Sequence, residues 1–269
     1  MGSYLNPGNF SFKGSLRSKI YVDKSKLIAK TNEALCTEQK YICLSRPRRF
    51  GKSMAANMLA AYYDRDENTE ELFQNLAISK DDSYKENLNQ YDVIKINMQE
   101  FLSMAGTMEE MLGMLKNYLV SDFEETYPEV RFRDEKNLIQ VMKDVFSYTR
   151  CPFVILIDEW DCLFREYKQD KEAQRKYLDF LRVWLKDKDY VAMAYMTGIL
   201  PIKKYGSHSA LNMFTEYSMT DPGDFAEYFG FTEQEVLKLC GKYGMSFEES
   251  KIWYDGYQLV VHQKEKDEC

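Results

Sequence analysis

Four short segments of the chain read as buried strands, at residues 41–45, 93–97, 153–157 and 190–196, and three of them are nearly continuous apolar runs. Runs without strict alternation are the pattern of parallel strands covered on both faces. Between them, apolar residues recur at spacings of three and four, which predicts helices. Residues 52–63 are rich in Ala, Met and Leu. Residues 108–123 repeat Met111, Leu112, Leu115 and Leu119, and residues 138–146 repeat Val141, Met142 and Val145. Residues 171–185 do so with Tyr177, Leu178, Leu181 and Leu185. A shorter helix is expected over 24–35, after an apolar stretch (Ile20, Tyr21, Val22) that ends on Asp23 as its capping residue. Strands alternating with helices of this length predict an α/β layer fold with a mostly parallel sheet. Beyond Asp221 the pattern is helical, at 232–243 and 248–253. Residues 1–14, rich in Gly, Asn and Ser, predict a loose arm.

Composition narrows the class. The 269 residues are 45% hydrophobic and 29% charged, which suits a sizeable core and argues against disorder. No apolar run approaches the roughly 20 residues of a membrane helix. The N-terminus lacks a signal-peptide pattern, so a cytoplasmic protein is expected. The net charge of −7 argues against a general polyanion binder, although a local basic patch stays open. Six scattered cysteines without C-x-x-C, and only His208 and His262, argue against structural zinc. Free thiols in a reducing compartment are the expectation. Tyr177, Phe180 and Trp184 lie at helical spacings and are expected to pack rather than to bind a cofactor.

The stretch Arg46-Pro47-Arg48-Arg49-Phe50-Gly51-Lys52-Ser53 lies between an expected strand and an expected helix. That is the setting of a phosphate-binding loop. Amides that begin a helix lack internal partners and carry partial positive charge, and a polyphosphate supplies the acceptors. Gly51 lets the backbone approach, Lys52 supplies a point charge, and Ser53 offers a hydroxyl to Mg²⁺. The usual first glycine of such a loop is Arg46 here. Three guanidinium groups beside one anion site would add bidentate donors, or else form a solvated basic turn. Pro47 would stiffen the loop.

The apolar run 153–157 ends in Asp158 and Glu159. Ligands of open α/β sheets sit at the carboxyl ends of strands, so Asp158 would face the loop and hold Mg²⁺. Glu159 would polarise an attacking water. The alternative is a helix cap beside a solvated carboxylate. Asp161, three residues after Asp158, either lines the same crevice or complements a helix N-terminus. Thr197-Gly198 ends the next run, where Thr197 would contact the γ-phosphate or satisfy its own strand end.

These residues, in order, resemble one family. They are Tyr21-Val22-Asp23-Lys24, the 45–53 loop, Ile157 to Asp161, Thr197-Gly198, Ser209 to Asn212, Gly230 to Val236, and Trp253 to Tyr257. The chain is similar to the predicted AAA-ATPase-like family over about residues 20–257, nearly its whole length. The resemblance implies a three-layer α/β/α P-loop NTPase core over 20–220, after an N-terminal arm at 1–19. A partial helical lid would follow over 221–269. It implies that the loop and the acidic strand end act as Walker A and Walker B, with an extra strand between their two strands. Thr197, on that strand, looks like a first-sensor residue. Many members carry a C-terminal PD-(D/E)XK nuclease-like domain. This chain stops soon after Tyr257, so that domain is expected to be absent and the lid truncated.

The expected function is ATP binding with slow Mg²⁺-dependent hydrolysis. Lys52, the amides of the 46–53 loop and one or more of Arg46, Arg48 and Arg49 would hold phosphates. Ser53 and Asp158 would hold Mg²⁺, Glu159 would orient water, and Thr197 would sense the γ-phosphate. The alternative is a nucleotide-gated binding module with little turnover. Nucleic-acid binding through the basic run and Lys203 or Lys204 is a third reading, disfavoured by the acidic balance. A homo-oligomer or a protein partner stays open, and no membrane association is expected.

Overall fold

The four expected strands form one sheet in the computed structural model, which describes residues 2–202 and 210–254 except the Tyr254 side chain. Lys203, Lys204, His208, Ser209, Asp255, Gly256, Tyr257, His262 and Cys269, singled out above, lie outside the described residues. Strands β1 (Tyr41–Ser45), β2 (Asp92–Asn97), β3 (Phe153–Asp158) and β4 (Val191–Gly198) are joined by β5 (Thr215–Tyr217). Their order is β2-β3-β4-β1-β5, and every neighbouring pair is parallel. β4 thus lies between the loop strand β1 and the acidic strand β3, where the resemblance put its extra strand. β5 was not anticipated. Its Thr-Glu-Tyr sequence has no apolar run, and as a half-exposed edge strand it needs none.

Side chains alternate across the sheet, as the pleat requires. Cys43, Ile155, Ile157, Ala194 and Met196 face one core layer. Ile42, Leu44, Val154, Leu156 and Tyr195 face the other. The second layer is covered by α1 (Phe10–Leu16), α2 (Lys26–Ala34), α3 (Lys52–Tyr63), α4 (Glu70–Phe73) and α5 (Tyr84–Asn87). The first is covered by α6 (Met98–Met104), α7 (Met108–Thr126), α8 (Leu138–Thr149), α9 (Cys162–Glu166) and α10 (Lys171–Leu185). The result is the three-layer α/β/α arrangement. Tyr177 and Trp184 are fully buried, and Phe180 stacks on Trp184 at 5.5 Å between centroids, so these aromatics pack the core.

The N-terminal segment is not a loose arm. Leu5 is fully buried and forms an antiparallel bridge with Ile94 of β2. The Asn6 amide donates to Asp92 Oδ1 at 2.9 Å, and its own Oδ1 accepts the Val93 N–H at 2.7 Å. Asp122 Oδ2 accepts the N–H groups of Tyr4 and Leu5 at 2.7 and 2.9 Å. The segment therefore covers the open β2 edge, and α1 buries Phe12. A Gly/Asn-rich composition reports backbone freedom, and does not report whether a sheet edge is waiting.

Asp23 is also not the cap of α2, whose N-cap is Ser25. Its carboxylate instead accepts the Ser25 N–H at 2.8 Å and the Ala77 N–H at 2.7 Å. It joins α2 to the 3₁₀ turn at Ala77–Lys80.

After β5 comes a 3₁₀ turn (Gly223–Tyr228), then α11 (Glu233–Tyr243) and α12 (Phe247–Tyr254). Thr232 and Glu235 form a reciprocal capping box that starts α11, and Gly244 at φ +65° ends it. Among the described residues no helix is long and apolar enough to cross a membrane.

Candidate functional site

The loop between β1 and α3 ends in a left-handed turn. Gly51, at φ +83°, is the N-cap of α3. A Cβ there would meet nothing within 4 Å, so glycine is required by the dihedral and not by space. Arg49 is also left-handed, at φ +70°. The turn brings the start of α3 to the lining of a cleft of about 510 Å³. The cleft is lined by Arg48 to Ser53 and Glu159, together with Tyr21, Val22, Tyr228 and Phe231. Its volume lies in the usual range for a small-molecule site. Tyr21 and Val22, with Phe231 of the C-terminal segment, add an apolar wall to the cleft.

Lys52 is nearly buried, and its ammonium donates to the carbonyls of Arg46 at 3.1 Å and Pro47 at 3.0 Å. Burial lowers its pKa, while Glu159, Asp158 and Asp161 act to raise it. The Ser53 hydroxyl donates to Asp158 Oδ2. The Thr197 hydroxyl donates to the other oxygen, Oδ1, which also accepts the Glu159 N–H at 3.0 Å. One carboxylate therefore ties together the start of α3 and the ends of β3 and β4. That convergence follows from topology, because three parallel strands deliver their carboxyl ends to one edge.

Glu159 sits at φ +54°, a strained conformation for a residue with a Cβ. Its carboxylate is gripped by Arg165 of α9. Burial raises the Glu159 pKa, and the Arg165 charge opposes that rise. Arg165 also bonds Gln99 Oε1 at 3.3 Å and lies 3.4 Å from Asp161 Oδ2. Neither Arg165 nor Gln99 was anticipated. The Asp161/Arg165 spacing of four was the available signal.

Asp161 neither lines the cleft nor caps α9 with its side chain. It is fully buried, and its Oδ2 accepts the N–H groups of Ile199 and Leu200 at 3.1 and 2.8 Å. It thereby fixes the chain as it leaves β4. At that point Gly198 passes so close that an added Cβ would lie 2.7 Å from Trp160 Nε1 and 2.9 Å from Asp161 Oδ1. Gly198→Ala is expected to cost about 1–3 kcal/mol through overpacking of a rigid site, read as a lower denaturant midpoint with unchanged slope.

The three loop arginines separate. Arg48 and Arg49 are exposed at the cleft. Arg46 is fully buried, donates to the Tyr217 carbonyl at 2.7 Å, and is absent from the cleft lining. Pro47 and Phe50 are half-buried, and Phe50 lines the cleft while Pro47 does not.

Ser53, which lines the cleft, and Asp158, which is buried and absent from the cleft lining, offer hard oxygen donors beside each other. Among the described residues no group of three His, Cys, Asp or Glu side chains stands ready to cage a metal. The donor set suits Mg²⁺, which takes few protein ligands and completes its shell with water and phosphate oxygens.

An uncharacterised protein encoded in the vnfD 5′ region of Azotobacter chroococcum mcd 1 is 24% identical over 248 residues. The match covers 88% of this chain and 45% of that protein, so the chain spans about half the length of its curated relative. The crystal structure of a DNA replication initiation factor aligns with a TM-score of 0.36 at 12% identity, over 89% of this chain and 58% of that one. Residues 11–207 match the AAA-ATPase-like family, described as predicted AAA-ATPase. With nearly three quarters of its length matched, the chain belongs to the predicted AAA-ATPase family.

Proposed function

We propose that the protein binds ATP at the cleft and hydrolyses it slowly with Mg²⁺. The observation that carries this reading is the Ser53–Asp158 hydrogen bond, which brings the phosphate loop and the acidic strand end together. The amides from Gly51 onward and the Lys52 ammonium would hold the phosphates. To do so Lys52 exchanges the carbonyls of Arg46 and Pro47 for phosphate oxygens, which are stronger acceptors because they are charged. Arg48 and Arg49, exposed at the cleft, are the arginines suited to contact phosphate. Ser53 and Asp158 would hold Mg²⁺, which when bound neutralises charge on the β- and γ-phosphates. Thr197, bonded to the same carboxylate, would orient Asp158 toward that ion. Glu159 would take the proton of the attacking water.

Ser53→Ala is expected to weaken Mg-ATP binding by roughly tenfold, as for one lost metal or charge-assisted contact, and to leave metal-free ATP binding unchanged. Calorimetric titrations with Mg²⁺ and with EDTA separate the two. Equal loss in both would remove Ser53 from the metal site.

One observation favours the second reading, a nucleotide-gated module with little turnover. The Glu159 carboxylate is already engaged by Arg165. Phosphate release at saturating Mg-ATP, measured beside calorimetric binding, decides between them: binding without release supports the module.

A further inference from the structure

Arg46 stands where a phosphate loop ordinarily begins with glycine, and its guanidinium turns away from the cleft. It is fully buried, and among the described residues no carboxylate pairs with it. Its Nη1 donates to the Ser45 carbonyl at 3.1 Å and to the Tyr217 carbonyl, at the end of β5, at 2.7 Å. The guanidinium lies over the Phe229 ring at 5.5 Å. Among the described residues Nε and Nη2 have no hydrogen-bond partner. A buried, incompletely satisfied cation is unfavourable to keep, so its position calls for a role.

The other end of the same loop is tied to the same segment. The Gly230 N–H donates to the Phe50 carbonyl at 3.1 Å, and Gly230 is held at φ +73° against the Phe50 ring. The segment from Tyr217 to Gly230 leads directly into α11, and Phe231 at its end lines the cleft. A third tie runs from Lys24, beside the apolar wall, to the Glu227 carbonyl and to Glu235 of α11, both at 2.6 Å.

We propose that Arg46 is a positioning residue that couples occupancy of the phosphate loop to the placement of α11, rather than a ligand of phosphate. Its backbone carbonyl receives Lys52, and its side chain grips the strand end and the ring that precede the helix. When Lys52 leaves that carbonyl for an anion, the strain or freedom gained at one end of the residue is delivered to the other. The proposal rests on the nucleotide reading for its trigger, but the strut itself does not.

The test is amide hydrogen exchange on the whole chain, with and without Mg-ATP, for the parent, Arg46→Met and Phe229→Leu. Methionine keeps length and apolar volume while removing an unpaired buried charge, so folding is expected to survive. Phe229→Leu removes the ring and leaves the loop intact. In the parent, Mg-ATP is expected to slow exchange across 225–243. In Arg46→Met, ATP affinity is expected to stay within about threefold of the parent. Exchange at 223–230 without ligand should rise on the order of tenfold, as for one lost hydrogen bond to a charged group, and the ATP response of 233–243 should vanish. Phe229→Leu should reproduce the loss of response. The proposal is overturned if Arg46→Met loses ATP as fully as Lys52→Ala, which would make the guanidinium a phosphate ligand. It is also overturned if either variant keeps the parental response. If the parent itself does not bind ATP, the nucleotide reading fails. The ligand-free rates at 223–230 then decide the strut alone, and unchanged rates reject it.

Discussion

Replacing Lys52 with alanine is expected to lower ATP affinity by at least a hundredfold, to below detection in a calorimetric titration. The ammonium is the buried cation at the base of the cleft, one residue beyond the left-handed Gly51. Each hydrogen bond to a charged group contributes about 1.5–3 kcal/mol, and two such contacts to phosphate correspond to two or more decades in affinity. The same group now holds the carbonyls of Arg46 and Pro47. Alanine therefore also leaves two loop acceptors without their donor, and some loss of thermal stability will accompany the loss of binding. Circular dichroism of the ligand-free variant separates the two effects. A folded variant that still binds ATP like the parent would rule out this loop as the phosphate site.

Glu159→Gln is expected to bind Mg-ATP within a fewfold of the parent and to lose turnover by roughly 10²–10⁴-fold, the range for removal of a general base. The substitution keeps shape and one carbonyl oxygen for Arg165, but an amide cannot accept the water's proton. Asp158, one residue earlier, retains its bonds to Ser53 and Thr197 and hence the proposed metal site. Steady-state phosphate release, set beside the binding constant, reads the split. Parental turnover in the variant would take the base role from Glu159. Near-zero turnover in both proteins would leave the gated module standing, with the Arg165 grip on Glu159 as its physical basis.

The elements that were legible are those whose burial pattern is written in short range. Four strands and seven helices were read to within about three residues at each end; the strands and the five helices α2, α3, α7, α8 and α10 bury apolar residues in the two core layers, whereas α11 was legible from its Thr232/Glu235 capping box. α1, α4, α5, α6 and α9 were not read. Each has seven residues or fewer, too short to show a period. β5 escaped for a different reason, since an edge strand of three residues is stabilised by pairing with β1 and not by its own side chains. At the site, Lys52, Ser53, Asp158, Glu159 and Thr197 were legible as residues at the carboxyl ends of strands or the start of a helix. Their hydrogen-bond partners were not.

The order of chain elements and the chemistry at their junctions were determined by the sequence. Glycine before lysine at a helix start, and carboxylates at the end of an apolar strand, carry their dihedral and charge preferences wherever they occur. The destination of long-range side chains was decided only by the tertiary structure. Arg46 reads as a phosphate ligand in one dimension and lies against Tyr217 and Phe229 in three. Asp161 reads as a crevice residue or a helix N-terminal charge; it does stand at the start of α9, but its carboxylate holds Ile199 and Leu200. The Gly/Asn-rich N-terminus reads as free and instead closes the β2 edge. In each case the partner lies dozens of residues away or more along the chain, and the outcome depends on which unsatisfied donor or acceptor the packed sheet leaves within reach. Local sequence cannot encode that, because it is a property of the assembled layers.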